Sequence, residues 1–270
     1  MYVLDNFYTY VYYNGDARNK LQYVTKLGDK KIDYIFIGSS RVENHIDCDL
    51  IQQITGKSCL NLGKQGAKLG DGLLMILLLN NYDVKYSKIF YQLDYTSNYY
   101  GLEKSTRAQA YPLVKKSGNK ELKGILNLSR LYNIPFYGYA KQDKVIGIRE
   151  LTATLINRKS NVKLANGFVP RYGNSQRTFG ELPDFISQPN EELIEMKKNT
   201  ENKLVLFTAP YCSKDTNRKD FMKSLNKHYP ESLNLMDAFD EKTHFFADCG
   251  HLNAEGAAAF TKLLIKKLNL

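Results

Sequence analysis

The 270 residues predict an α/β fold, a three-layer, doubly wound parallel sheet of five strands with flavodoxin-like alternation. Three observations carry this. Short apolar runs recur along the chain. Most are continuous rather than alternating, the pattern of parallel strands covered on both faces. Helical stretches lie between most of them, two behind good capping residues.

Taken in order, "IDYIFIG" (32–38) is the first strand, and Glu43 to Thr55 has the composition of the helix that follows. "SCLNL" (58–62) is the second strand. Asp71 is placed to cap "GLLMILLLNN", which is apolar on every side and so expected to be buried. "KIFYQLD" (88–94) is the third strand. From 97 to about 200 the rhythm breaks, with more Asn, Lys, Gly and Tyr and weaker periodicity. This reads as an insertion after the third strand that covers the carboxyl edge of the sheet. Within it "LKGILNLSRLY" and "QDKVIGIRELTATLI" read as helical, and "NGFVPRYGNSQRTFGELPDF" as a long loop. Loops of that length in compact domains are usually functional or mobile. "KLVLFTA" (203–209) and "SLNLMD" (232–237) are the fourth and fifth strands, with a helix from Asn217 to His228 between them. Asn253 caps the last helix, where Phe260, Leu263, Leu264 and Leu268 share one face. The expectation is one domain over 1–270 carrying that insertion.

A hydrophobic fraction of 43% supports a sizeable core and argues against global disorder. The net charge of +10 is spread, with KK pairs at 30–31, 115–116, 197–198 and 266–267. No block of five like charges marks a nucleic-acid arm, so no nucleic-acid partner is expected and the basic surface reads as solvated. Twenty Tyr and no Trp suit sugar contact, although Tyr is also ordinary strand filler. The four cysteines, Cys48, Cys59, Cys212 and Cys249, form no C-x-x-C pair, which removes zinc and thioredoxin-like readings. Four free, mostly buried thiols are expected, with a Cys48–Cys59 bridge as the alternative. The longest apolar run, Leu73 to Leu79, is too short to span a membrane. "MYVLDNFYTYVYY" lacks the basic and apolar regions of a signal peptide. The chain is therefore either cytoplasmic or an extracytoplasmic domain whose leader or anchor lies outside it.

Ligands of open α/β sheets bind outside the carboxyl ends of the strands. Ser39 and Ser40 follow the first strand, the glycines of "NLGKQGAKLG" follow the second, and Asp94 ends the third. "FADCGHLNAEG", just before the last helix, holds Asp248 and His251. A carboxylate and an imidazole three residues apart can meet across one turn, fixing the tautomer and stabilising imidazolium. A serine at a helix N-terminus beside that imidazole would be an activated nucleophile. The competing reading of Ser40 is a plain helix cap. The α/β-hydrolase pattern G-x-S-x-G fails because Val42 stands two residues beyond Ser40. The glycines of 63–72 match neither G-x-G-x-x-G nor a P-loop.

These residues resemble the marker blocks of the SGNH/GDSL hydrolase superfamily. Gly38-Ser39-Ser40-Arg41 resembles its G-D-S-x block, with Ser39 in place of the usual Asp. "NLGKQG" (61–66) matches the Asn-to-Gly spacing of the second block, and Asp248-Cys249-Gly250-His251 matches D-x-x-H. The third block, G-x-N-D, departs: here it is Tyr91-Gln92-Leu93-Asp94, with leucine in the asparagine slot. The likeness covers about 32–95 and 203–268 and is similar to the branch associated with envelope acyl transfer and polysaccharide O-acetylation.

The resemblance implies a serine esterase or O-acyltransferase acting on an acylated glycan or similar envelope polymer, without cofactor or metal. Ser40 would be the nucleophile, His251 the base and Asp248 its orienting carboxylate. The N–H groups of Ser40 and Gly66 would form the oxyanion hole. With Leu93 in the asparagine slot, Gln92 or Asn98 would have to supply the third donor, Asn98 being favoured for its place in the loop. Arg41 either pairs with Asp94 or meets an anionic substrate, and Asp94 is as readily structural as catalytic. His45, His228 and His244 read as surface or core residues. The alternative is a catalytically weak scaffold that binds glycan or assists a membrane acyltransferase partner.

Overall fold

The computed structural model describes residues 1–270 except 176, 178–181, 183–185, 187, 215 and 216. Part of the long-loop reading at 166–185 therefore lies outside the described residues. The helices are α1 Tyr2–Asn14, α2 Lys20–Thr25, α3 Ser40–His45, α4 Cys48–Thr55, α5 Leu69–Asn81, α6 Lys104–Ser117, α7 Lys120–Leu126, α8 Tyr137–Lys141, α9 Asp143–Ile146, α10 Ile148–Leu155, α11 Glu191–Asn199, α12 Arg218–His228 and α13 Ala254–Leu268. The strands are β1 Lys31–Ile37, β2 Cys59–Asn61, β3 Lys85–Leu93 and β4 Leu204–Thr208, with a small antiparallel pair, β5 Phe246–Asp248 and β6 His251–Leu252.

The chain forms two compact units. One comprises Met1–Lys30, Leu74–Lys85 and Gly101–Leu164; the other comprises Lys31–Leu73, Tyr86–Tyr100 and Ala165–Leu270. In the second, a four-stranded parallel sheet has the order β2-β1-β3-β4. β1 and β3 are neighbours although β2 lies between them in sequence, so the connection reverses there, and a crevice opens at such a switch point. Phe36, Phe90 and Phe207 stack or meet edge-on across β1, β3 and β4, and with Val42, Ile51, Phe246 and Phe260 they form one buried cluster.

The expected fifth strand is not formed. Residues 232–237 run beside β4 but make a single parallel bridge, Phe207 to Leu233. Polar side chains end the ladder there. Thr208 Oγ1 donates to Asn234 Oδ1 (3.0 Å) and accepts from Leu235 N (2.8 Å), while Met236 N donates to Asn234 Oδ1 (3.1 Å). Local side-chain acceptors thus take donors that a strand would need.

Several helices also differ from expectation. The single helix over 43–55 is two: α3 and α4 break at Asp47, whose side chain caps the second. Asp71 lies inside the first turn of α5, accepting from Lys68 N, rather than before it. Gly147 divides 142–156 into α9 and α10. Asn253 does cap α13, accepting from Gly256 N.

The unit built from Met1–Lys30, Leu74–Lys85 and Gly101–Leu164 is helical. Asp5, Tyr8, Thr9, Val11 and Tyr12 form the inward face of α1. Thr9 Oγ1 and Tyr139 Oη share a hydrogen bond at 2.7 Å, and the Tyr8, Phe136 and Tyr139 rings pack together. Neither α1 nor α6, which carries Pro112 in its interior, was expected from sequence.

The thiol expectation is corrected. Cys48 is bridged to Cys59, and Cys212 to Cys249, with Cα separations of 5.1 and 4.7 Å. The fold brings together what the spacing kept apart: Cys212 N donates to Cys249 O, so the two segments already lie side by side.

Candidate active site

β1 ends at Ile37 and the chain turns sharply into α3. Gly38 is required at that turn, because a Cβ would meet Val42 Cγ2 at 2.6 Å and Gln92 Cβ at 2.9 Å. Ser39 is the N-cap of α3, its Oγ accepting from Arg41 N at 3.3 Å. The capping role thus belongs to Ser39. Its hydroxyl proton is directed at Gln92 Oε1 (2.9 Å) and Asp94 Oδ2 (3.1 Å).

Ser40 is the first residue of α3, half-buried, with Oγ 2.8 Å from His251 Nε2. His251 Nδ1 lies 2.8 Å from Asp248 Oδ1, which also accepts from Gly250 N at 2.9 Å. With the carboxylate facing Nδ1, that nitrogen carries the proton and Nε2 is left to accept from Ser40. Burial pulls the Asp248 carboxyl upward, but the hydrogen bond and charge of His251, with Arg171, outweigh it and hold it below its ordinary value. The β5–β6 turn thus presents both groups to a serine 211 residues away in sequence.

Arg171 and Asn44 completed this arrangement without any sequence signal of their own. Arg171 Nη1 donates to Asp248 Oδ2 at 3.0 Å, and its Nε donates to Asn44 Oδ1 at 3.0 Å. Asn44 stands one turn beyond Ser40 on α3, and its Nδ2 donates to Val169 O at 2.8 Å. The contacts close a ring: Ser40, His251, Asp248, Arg171, Asn44 and back along α3 to Ser40. Residues 166–171 form a strap that holds Arg171 there. Gly167 has φ +75°, and a Cβ on it would strike Asn61 O at 1.8 Å. Val169 N donates to Glu43 O, and Ala254 N donates to Arg171 O.

The remaining expected residues fall in three places. Asn61 is fully buried; its Nδ2 donates to Val42 O (2.7 Å) and Ile46 O (2.8 Å), and its Oδ1 accepts from Gly63 N (2.9 Å). It ties β2 to the end of α3. Gly66 sits in the turn closed by Ala67 N to Lys64 O, with φ +67°, and Lys64 N donates to Gly38 O at 3.0 Å. Among the described residues, the N–H groups of Ser40 and Gly66 donate to no protein acceptor. Asn98 is half-buried at the end of a 3-10 turn, Tyr95–Asn98, beyond β3.

Gln92 reaches the β1–α3 turn, as its contact with Ser39 shows, but its Nε2 donates to Leu93 O at 2.6 Å. Leu93 is 1% exposed. Asp94 accepts from Tyr95 N, Ser39 Oγ and Tyr211 Oη, and its Oδ2 lies 3.6 Å from Arg41 Nε. Arg41 is buried over the Tyr211 ring. Burial and the Asp94 carboxylate raise the Tyr211 hydroxyl well above its ordinary value, against the lowering effect of Arg41, so it remains a donor.

His45 is a core residue. Its Nε2 accepts from Leu252 N at 3.0 Å, and its ring meets His251 edge-on at 6.1 Å. Burial first, then the charges of Arg41, His251 and Arg171, push its pKa far down, so it stays neutral.

No protein-family model and no curated protein matches the chain. Among solved structures it is similar to one described as "a putative platelet activating factor from Streptococcus pneumonia", at 13% identity and a TM-score of 0.40, covering 98% of this chain and 91% of that one.

Proposed function

We propose that the chain is a serine-dependent ester hydrolase or O-acyltransferase of the SGNH/GDSL kind, acting on an acylated glycan or related envelope polymer. The observation that carries this reading is the relay Ser40 Oγ–His251 Nε2 and His251 Nδ1–Asp248 Oδ1, each at 2.8 Å. Ser40 gives its proton to His251 as Oγ attacks the ester carbonyl. The tetrahedral oxyanion rests on the N–H groups of Ser40 and Gly66; one such donor is worth about 3 kcal/mol in other enzymes. The ester C–O bond then breaks, and the departing alkoxide takes the proton from His251. Water or an acceptor hydroxyl, deprotonated by the same imidazole, releases the acyl group from Ser40. Asp248 holds the tautomer and stabilises the imidazolium. The two disulfides suit an oxidising, extracytoplasmic compartment.

The test is covalent labelling by a serine-directed fluorophosphonate together with turnover of a small acetyl ester. Ser40→Ala should lose both. Ser39→Ala should keep labelling, since its hydroxyl is occupied by the cap and by Gln92 and Asp94. Undiminished labelling of Ser40→Ala would remove the assignment.

A second reading, a catalytically weak scaffold that binds glycan or assists a membrane acyltransferase, is favoured by one observation. Leu93 fills the asparagine slot with a buried side chain, and the Gln92 amide is already donating to Leu93 O. Leu93→Asn separates the readings. A higher kcat on the acetyl ester means the hole lacked a donor. A fall, with folding retained, means another group already serves it.

A further inference from the structure

The net charge of the protein resides in one unit. The helical unit carries 18 Lys and Arg against 8 Asp and Glu, a net +10, while the other unit carries 20 of each and is neutral. The same unit displays the most exposed apolar helix face. Val3, Phe7 and Tyr10, at i, i+4 and i+7 of α1, are 81, 44 and 67% exposed, with Tyr2 and Leu4 beside them. Tyr2 also lies on the rim of a cavity of about 610 Å³, whose lining includes Lys115, Lys123, Arg130, Tyr132 and Ile134. Lys115 is paired with Asp5, but Lys123 and Arg130 have no acidic partner among the described residues. The Tyr111 hydroxyl, buried in the cavity wall, makes no hydrogen bond.

We propose that this helical unit docks on a bilayer rich in anionic phospholipid, with the outward face of α1 at the acyl boundary and Lys123 and Arg130 against lipid phosphates. The combination selects the occupant. A soluble polyanion would use the charge but gain nothing from Val3, Phe7 and Tyr10. A second copy would cover the apolar face but bring another +10 against the first. An anionic membrane surface satisfies both, because basic side chains are drawn to its surface potential while the apolar stripe leaves water. The only charged residue of α1, Asp5, faces inward, so its outward face brings no charge to the acyl boundary while Lys123 and Arg130 supply the attraction to phosphate. This departs from the sequence reading of a merely solvated basic surface, and it is independent of the esterase reading.

The experiment is co-sedimentation of the full chain with phosphatidylglycerol vesicles and, separately, with phosphatidylcholine vesicles, across a salt series. The expected result is partitioning into the anionic vesicles only, weakening as salt rises. Val3→Asp combined with Phe7→Asp should lower it about tenfold, and Lys123→Glu combined with Arg130→Glu by a similar factor. Ile54→Asp, an exposed apolar position in the neutral unit, should leave it unchanged. The variants alter exposed positions, so circular dichroism and acetyl-ester turnover should remain as in the parent. No partitioning, equal binding to both vesicle types, capture by polyphosphate or nucleic acid without vesicle binding, or dimerisation through α1 would each overturn the proposal. Loss of turnover in Ser40→Ala with vesicle binding intact would keep the two readings separate.

Discussion

The two units differ in how they deal with their polar groups. The neutral unit gathers them around α3: Asn61, Asn44, Asp94, Arg41 and Asp248 are all at least nine-tenths buried, joined by hydrogen bonds except at Arg41, which meets Asp94 through Nε and leaves Nη1 and Nη2 without a hydrogen bond among the described residues. The helical unit leaves its excess charge outside, next to apolar side chains that its own packing does not cover. A buried polar network is worth having only when its members are paired, and it then fixes side-chain positions tightly. Exposed charge fixes nothing internally but acts at a distance on whatever approaches. The contrast suggests where each kind of substitution should register: changes around α3 in chemistry and stability, changes on α1 in adhesion.

The sharpest way to break this contrast is Asp248→Asn. It should lower turnover by up to about 10⁴-fold, because an amide no longer holds the imidazole tautomer, while vesicle binding stays at the parent level. The same substitution has a pH signature in stability. The Asp248 carboxyl is depressed in the folded state by His251 and Arg171 despite burial. A depressed carboxyl contributes stability that is fully present above its unfolded value and lost as pH falls through the folded one. The Tm difference between parent and Asp248→Asn should therefore be largest near neutrality and shrink in acid. A difference that grows in acid would contradict the assignment of the carboxylate.

The next largest effect concerns the disulfides, all of whose cysteines lie in the neutral unit. Cys212–Cys249 spans 37 residues, and its removal should cost about 3–4 kcal/mol in the chain-entropy account. Cys249 adjoins Asp248, so Cys212→Ala with Cys249→Ala should reduce turnover as well as stability. Hydrogen exchange read by mass spectrometry can follow the two units separately. Protection should fall around β4 and β5 and persist in α1 and α6. Uniform loss across both units would mean that they unfold as one and that the division is only geometric.

What the sequence disclosed divides along the same line. β1 to β4 and α13 were legible because each is a continuous apolar run or a capped amphipathic stretch, where local pattern and burial agree. That Ser40, His251 and Asp248 lie together was legible because each sits at a turn with a characteristic spacing. Arg171 and Asn44 were not, since their role arises from a strap laid across α3 and no local pattern records a contact between residues 127 apart. The fifth strand failed because Asn234 and Thr208 redirect the backbone donors. The Cys48–Cys59 bridge was legible only as an alternative to free thiols, and Cys212–Cys249 not at all, because pairing depends on which segments the sheet places together. α1 was missed because its inward face is Asp5, Tyr8, Thr9, Val11 and Tyr12, with one aliphatic residue among polar and tyrosine side chains, and its outward face is as apolar, so hydropathy alone does not mark a buried stripe.

Arg171 offers the finest test of the neutral unit, and the effect should be small. Its guanidinium holds the Asp248 oxygen that His251 does not use, and it is about one-third exposed, so solvent screens it. Its charge helps to hold the Asp248 carboxyl below its ordinary value, and its two donors tie Asp248 to Asn44 on α3. Arg171→Gln removes the charge, so the part of the pH dependence of Tm that comes from Asp248 should shrink, and ester turnover should fall several-fold as residues 166–171 loosen. Arg171→Lys keeps the charge but not the two-pronged reach to Asp248 and Asn44. It should restore the pH dependence of Tm while leaving part of the loss in kcat, which would then belong to a loosened strap. Raising the salt should narrow the Tm gap between parent and Arg171→Gln. If the pH dependence of Tm is unchanged in Arg171→Gln while kcat drops, Arg171 acts only by holding residues 166–171 against α3, and its charge does not reach Asp248.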